Sequence, residues 1–192
     1  HVCKTDTIYG KLVESETLQF ADGSGEFELG FQNPQAWLYY QCKHSQHFAK
    51  LVETAMDMYP CSVERPWQIV LYQDGVNPSD GLALNHSRTS HVFYWSFLEL
   101  GTSALAHEEV WGTITMTRKL DATRVEGGLC QIVDRVLNRF FKDPHNFRKA
   151  GVQLELHDSG TMCWIYAKLG MILCDEPGTK EILGCKGHAG VK

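Results

Sequence analysis

Two aspartates occupy matching places in this sequence. Asp74 follows the apolar, β-branched run Ile69-Val70-Leu71-Tyr72, and Asp175 follows Met171-Ile172-Leu173-Cys174. Each is the first charge after what reads as a buried strand. In a mixed sheet, neighbouring strand ends bring such carboxylates to one edge, where the loops leave room for a ligand. Two carboxylates close together repel each other unless a cation lies between them, and Mg²⁺ favours oxygen donors and phosphate partners. Paired metals roughly 3.5 to 4 Å apart stabilise the attacking and leaving oxygens of phosphoryl transfer. On turn statistics alone an acid after a strand more often forms a turn or caps a helix, so the pair gains meaning only from the elements around it.

Those elements are read from periodicity. Phe48, Leu51, Val52, Ala55 and Met58 recur at helical spacing, which predicts a helix over 46–59 ended by Pro60. The residues before it alternate short apolar stretches with Gly, Ser and Asn and read as turns and weak strands. Three strands follow: Gln68 to Tyr72, the aromatic run His91 to Leu98 beyond a polar loop containing Asn77-Pro78 and Asp80-Gly81, and Val110 to Thr117. Their succession predicts an antiparallel meander. A long amphipathic helix is expected from Thr123 and Glu126, at capping-box spacing, to Asp143-Pro144. Strands at 152–156 and 162–174 and a short helix opened by Pro177 complete the order. The expected fold class is α/β (α+β), with residues 1–63 a helical and irregular extension and residues 64–192 the core.

A meander with an acid on its first strand, then a helix, then a strand ending in a second acid, is the element order of the ribonuclease-H-like fold. Asp74-Gly75-Val76-Asn77-Pro78, Val92 to Phe97, Lys168 to Glu176 and Gly184-Cys185-Lys186-Gly187-His188-Ala189-Gly190 together resemble transposon-encoded transposases of the DDE type over roughly residues 64–192. The resemblance implies a mixed sheet on which acids bind two divalent metals, Mg²⁺ or Mn²⁺, for DNA strand hydrolysis and strand transfer. It makes Asp74 the first acid and Asp175 the second, implies a nuclear, DNA-bound and homo-oligomeric setting, and places Cys185 at the start of a Cys-containing insertion. The third acid, normally on a later helix, has no counterpart, and Asp158 and Glu176 are not at its expected place. The chain, which starts at His1 and stops at Lys192 within a Gly-rich stretch, reads as a fragment with an incomplete catalytic set.

Further residues are weighed by chemistry alone. Glu108 and Glu109, after His107, could lean over the acidic edge as supporting groups, as could Glu176. His44 and His47 lie three apart, a zinc-compatible spacing without a third ligand. Phe93, Tyr94, Trp95 and Phe97 could stack bases, although a central strand accounts for them. Lys180, Lys186 and Lys192, interleaved with Gly184, Gly187 and Gly190, could approach a phosphate backbone. Seven cysteines without a CxxC pair form no closed disulfide framework, so reduced, mostly buried thiols of an intracellular protein are expected.

The 192 residues carry 18 basic and 23 acidic side chains, a net charge of −5, which argues against a protein that coats nucleic acid. The charge is uneven. Residues 1–117 hold 6 basic against 14 acidic groups and residues 118–192 hold 12 against 9. No stretch of 18 apolar residues and no secretory signal is visible, so no membrane partner is expected. Three functions fit: a transposase core, a non-catalytic remnant or interaction module of the same fold, and a metal-dependent nuclease that joins no strands.

Overall fold

A strand buried on one face alternates large apolar and smaller or polar side chains, and the central strands do so around an aromatic core. The structure, a computed structural model, describes residues 5–77, 89–142, 144–157 and 160–184. In chain order the strands are β1 (Asp6–Thr7), β2 (Gly10–Lys11), β3 (Val13–Gln19), β4 (Glu26–Gln32), β5 (Trp67–Val76), β6 (Ser90–Phe97), β7 (Gly112–Arg118), β8 (Val152–Glu155), β9 (Met162–Ile165) and β10 (Ala167–Leu173). The helices are α1 (Pro34–His44), α2 (Gln46–Met58), α3 (Gly101–Leu105), α4 (Lys119–Arg124), α5 (Gly128–Phe141) and α6 (Glu176–Ile182).

The main sheet is mixed and six-stranded, in the order β10-β5-β6-β7-β4-β3. β5, β6 and β7 form an antiparallel meander, and β10 returns to pair with β5 in parallel. The fold is thus mixed α and β. On one face, Ile69, Leu71, Phe93, Trp95 and Phe97 are fully buried. Trp95 meets Trp37 of α1 at 5.3 Å and Phe140 of α5 at 5.1 Å between ring centroids, so these two helices cover that face. The other face is only partly covered, by the segment between β6 and β7, where the Ser96 hydroxyl donates to the Val110 carbonyl at 2.8 Å.

The first third of the chain differs from the expected helical and irregular extension. β3 and β4 form a regular hairpin whose buried Leu18, Leu29 and Phe31 belong to the same core as Trp95. Its short alternating strands are half polar, with exposed glutamates on the outer side. Arg139 of α5 straps it down through Glu14 at 2.9 Å and Glu16 at 3.1 Å, with its guanidinium over the Phe31 ring. α1, where turns and weak strands were expected, is opened by Asn33-Pro34: the Asn33 side chain accepts from the Ala36 N–H and Pro34 fills the first turn. α2 spans Gln46–Met58 as the spacing predicts, capped by Ser45.

The expected capping box at Thr123 and Glu126 does not form. Thr123 lies inside the short α4, its hydroxyl donating to Leu120 O, and Glu126 N–H donates to Gln19 O across to the hairpin. Gly127 and Gly128, at φ of 76° and 59°, break the chain in the left-handed region, so α5 starts only at Gly128, with Gly127 as its N-cap. The expected strand over 162–174 also divides at Tyr166. β9 pairs with β8 while β10 turns to β5, and the Tyr166 backbone bonds both ways to the Cys61 thiol. Asp143, Asp158 and Pro78 lie outside the described residues.

Trp95 is the tightest point of the core. A Cβ at Gly112, its cross-strand neighbour, would come within 2.5 Å of the Trp95 indole nitrogen. Trp37, Phe97, Phe140 and Phe147 surround that ring, so it has nowhere to move. Gly112→Ala should therefore cost about 1–3 kcal/mol in urea unfolding; an unchanged midpoint would contradict this packing.

Candidate functional site

β5 runs further than its apolar stretch. Pairing with β6 continues through Asp74 opposite Val92 to Val76 opposite Ser90, so Asp74 is inside the strand rather than after it. Alternation then sends Gln73 into the covered face, where it is buried, and leaves Tyr72 and Asp74 exposed on the open face. The Asp74 carboxylate accepts from the Gly75 N–H at 2.8 Å.

β10 ends at Leu173, opposite Tyr72. Asp175 and Asp74 each stand two residues beyond that pair, but Asp175 has left the strand and lines a groove with Gln73 and His91, whereas Asp74 lines the open-face groove with Tyr72 and Tyr94. Asp175 is the N-cap of α6, its carboxylate accepting from the Gly178 N–H at 2.7 Å. The turn-former and helix-cap roles expected of such acids on composition are thus both present. The two charges nonetheless meet in one field. Asp74 beside Tyr72 pushes its phenol up, and Asp175 acts in the same sense.

The remaining candidates spread out around this edge. Glu108 and Glu109 form a single 3₁₀ turn, Glu108–Val110, before β7. Glu108 lines the same open-face groove as Asp74, whereas Glu109 pairs with His47 at 2.8 Å. Glu176 lies in the first turn of α6 and accepts from Lys180 at 2.5 Å, so Lys180 lies along its own helix. Lys186, Lys192 and Cys185 are outside the described residues. His44 closes α1 and stacks on Tyr40 at 4.4 Å, while His47 opens α2, so the expected pair is divided between two helices.

Sequence reasoning missed a polar cluster on the covered side of the same strand ends. His91, 5% exposed, shares a 3.1 Å hydrogen bond with Gln73, and its Nε2 lies 3.6 Å from Glu181 of α6. Lys119 is 3.6 Å from the other Glu181 oxygen. Burial pulls the His91 imidazole down, against the carboxylate of Glu181. A His opening an aromatic strand, with Gln73 two residues after Leu71, was the only signal for it. Among the described residues the cysteine thiols are free, with Cys42 buried, Cys130 exposed, and burial pushing Cys163 up to about 11.

Among the described residues no group of three or more His, Cys, Asp and Glu side chains is placed to hold a metal, and no helix is long and apolar enough to cross a membrane. Comparison with protein-family models, curated proteins and solved structures finds no match for this chain.

The shared field can be read directly. In an NMR pH titration of the tyrosine rings, Asp74→Asn should move the Tyr72 ionisation down towards the ordinary phenol value, because the largest cause of its elevation is removed. An unmoved Tyr72 titration would contradict the placement of Asp74.

Proposed function

We propose that the chain is a ribonuclease-H-like core of the DDE transposase type, directed at DNA phosphodiesters. The observation that supports this reading is the parallel register of β10 on β5, whose last pair, Leu173 opposite Tyr72, lies two residues before Asp175 and Asp74 at one end of the sheet. The order of a three-strand meander, helix and returning parallel strand agrees with it. Two carboxylates fit Mg²⁺ or Mn²⁺, which commonly take one or two protein carboxylates and complete their shell with water and substrate phosphate. When bound, such a metal supplies charge stabilisation for phosphoryl transfer.

The chain's own contribution is to hold the two acids. Asp74 is held by the pairing of β5 with β6, opposite Val92, and Asp175 by the first turn of α6. Glu108 stands close enough to share the groove with Asp74 and would add to the negative field. Lys119, at the neighbouring strand ends, and Lys180 would lie along an approaching phosphate backbone. DNA as partner, a nuclear location and self-association belong to the same proposal.

A second reading is a non-catalytic module of the same fold. Its support is that each acid already accepts a backbone N–H without any metal, Asp74 from Gly75 and Asp175 from Gly178. A ligand that binds only the folded state must raise its melting temperature. Mg²⁺ or Mn²⁺ at millimolar concentration should raise the melting temperature of the wild type, and Asp74→Asn should remove most of that rise. No rise in either protein favours the module.

A further inference from the structure

The open sheet face carries an aromatic groove of about 660 Å³ next to Asp74. Tyr72 and Tyr94, cross-strand neighbours on β5 and β6, have ring centroids 6.1 Å apart and planes 23° apart. Trp111 meets Tyr72 at 6.3 Å and 62°, forming a second wall. The wall is held in place, because the Trp111 indole N–H donates to the Leu105 carbonyl at 3.0 Å. Tyr72 remains 38% exposed, an uncommon position for an aromatic side chain between two other rings. The sequence groups Tyr94 with Phe93, Trp95 and Phe97, but those three are core, and Tyr94 alone of the run faces this groove.

The charge of the lining selects the ligand class. Asp74 and Glu108 are its charged groups, and no Lys, Arg or His among the described residues lines it. The cation–ring contacts among the described residues lie elsewhere, on Tyr39, Phe20 and Phe31. Aromatic faces attract cations, most strongly those that hold water weakly, and an alkylated ammonium gains from both the charge and its methyl groups. A nucleotide would find the same rings, but its phosphate would meet two carboxylates. We propose that the Tyr72, Tyr94 and Trp111 groove binds an alkylated ammonium group, of a methylated lysine side chain or of a free quaternary amine, with Asp74 and Glu108 as counter-charge.

The site shares Asp74 with the metal edge, but its walls are rings that have no part in that reading, so the two can fail separately. The test is an NMR titration of the full chain with acetylated trimethyllysine methylamide, with choline, and with the same lysine amide unmethylated. Ring currents should shift the N-methyl protons upfield, and the unmethylated amide should bind at least about fivefold more weakly. Tyr72→Leu, an exposed substitution, and Trp111→Ala should each weaken binding about tenfold. Tighter binding of the lysine amide assigns the ligand to a peptide, and tighter binding of choline assigns it to a small molecule; both support the site. Equal affinity for unmethylated lysine, unchanged affinity in Tyr72→Leu, or preference for deoxyadenosine monophosphate overturns it. Tyr72→Leu should keep the thermal response to Mg²⁺, so loss of the ammonium site leaves the metal reading standing, and ammonium binding by a wild type that shows no thermal response to Mg²⁺ leaves the groove standing without the metal reading.

Discussion

The parallel pairing of β10 with β5 sets which side chains gather at the functional end of the sheet. A parallel neighbour cannot be reached by a hairpin and needs a long crossover. Here the crossover includes the rest of the meander, α4, α5 and the small β8–β9 sheet. The pairing contains an irregularity with a consequence for chemistry. Leu169 is opposite Ile69, but Met171 is opposite Val70, so the register slips by one residue at Gly170. A bulge of this kind turns every later side chain to the other face. It sets Ile172 against the core beside Leu71 and Leu173 opposite Tyr72, two residues before Asp175 and Asp74. Gly170 is needed at the slip, because a Cβ there would lie 2.8 Å from the Gln68 side chain and 3.2 Å from the Ile69 carbonyl.

The core makes this edge rigid. The rings of Trp37, Trp95, Phe97, Phe140 and Phe147 pack mainly edge-to-face between the sheet and helices α1 and α5. Such arrangements add to area burial and fix orientation. α5 in turn holds the N-terminal hairpin through Arg135 and Arg139 against Glu14 and Glu16. These pairs are partly exposed, so their energetic contribution is small and their effect is chiefly to position. At the far end, Gly178 lies against Gln73, where any side chain would clash, so α6 docks closely on the strand ends. The polar groups at this end therefore occupy fixed places on both faces of the sheet.

The central sheet was legible in the sequence because its strands are strongly patterned. The meander from Trp67 to Arg118, the amphipathic helix through Phe140 and the short helix behind Pro177 all follow from apolar period and turn residues. What was hidden has physical causes. The strands at 13–32 read only as weak strands, because they are half polar and their place in the main sheet leans on Arg135 and Arg139 of α5. The break before α5 is set by two left-handed glycines and a tie to Gln19, which a capping spacing cannot reveal. At the edge, composition pointed to Asp74 and Asp175, but not to the face each takes. That depends on β5 continuing to Val76 and on the slip at Gly170, and both are tertiary. The groove formed by Tyr72, Tyr94 and Trp111 joins residues from two strands and a turn, so no stretch of sequence displays it.

The proposed metal site requires the two aspartates to share one cation-binding edge. Substoichiometric Mn²⁺, which broadens nearby amide signals by paramagnetic relaxation, tests it most directly in the folded chain. With a shared site the amides of Gly75 and Gly178, each bonded to one of the two carboxylates, broaden together, and both stay sharp in Asp74→Asn. Broadening of only one of them, or of neither while the glutamates of the N-terminal hairpin respond, would contradict it.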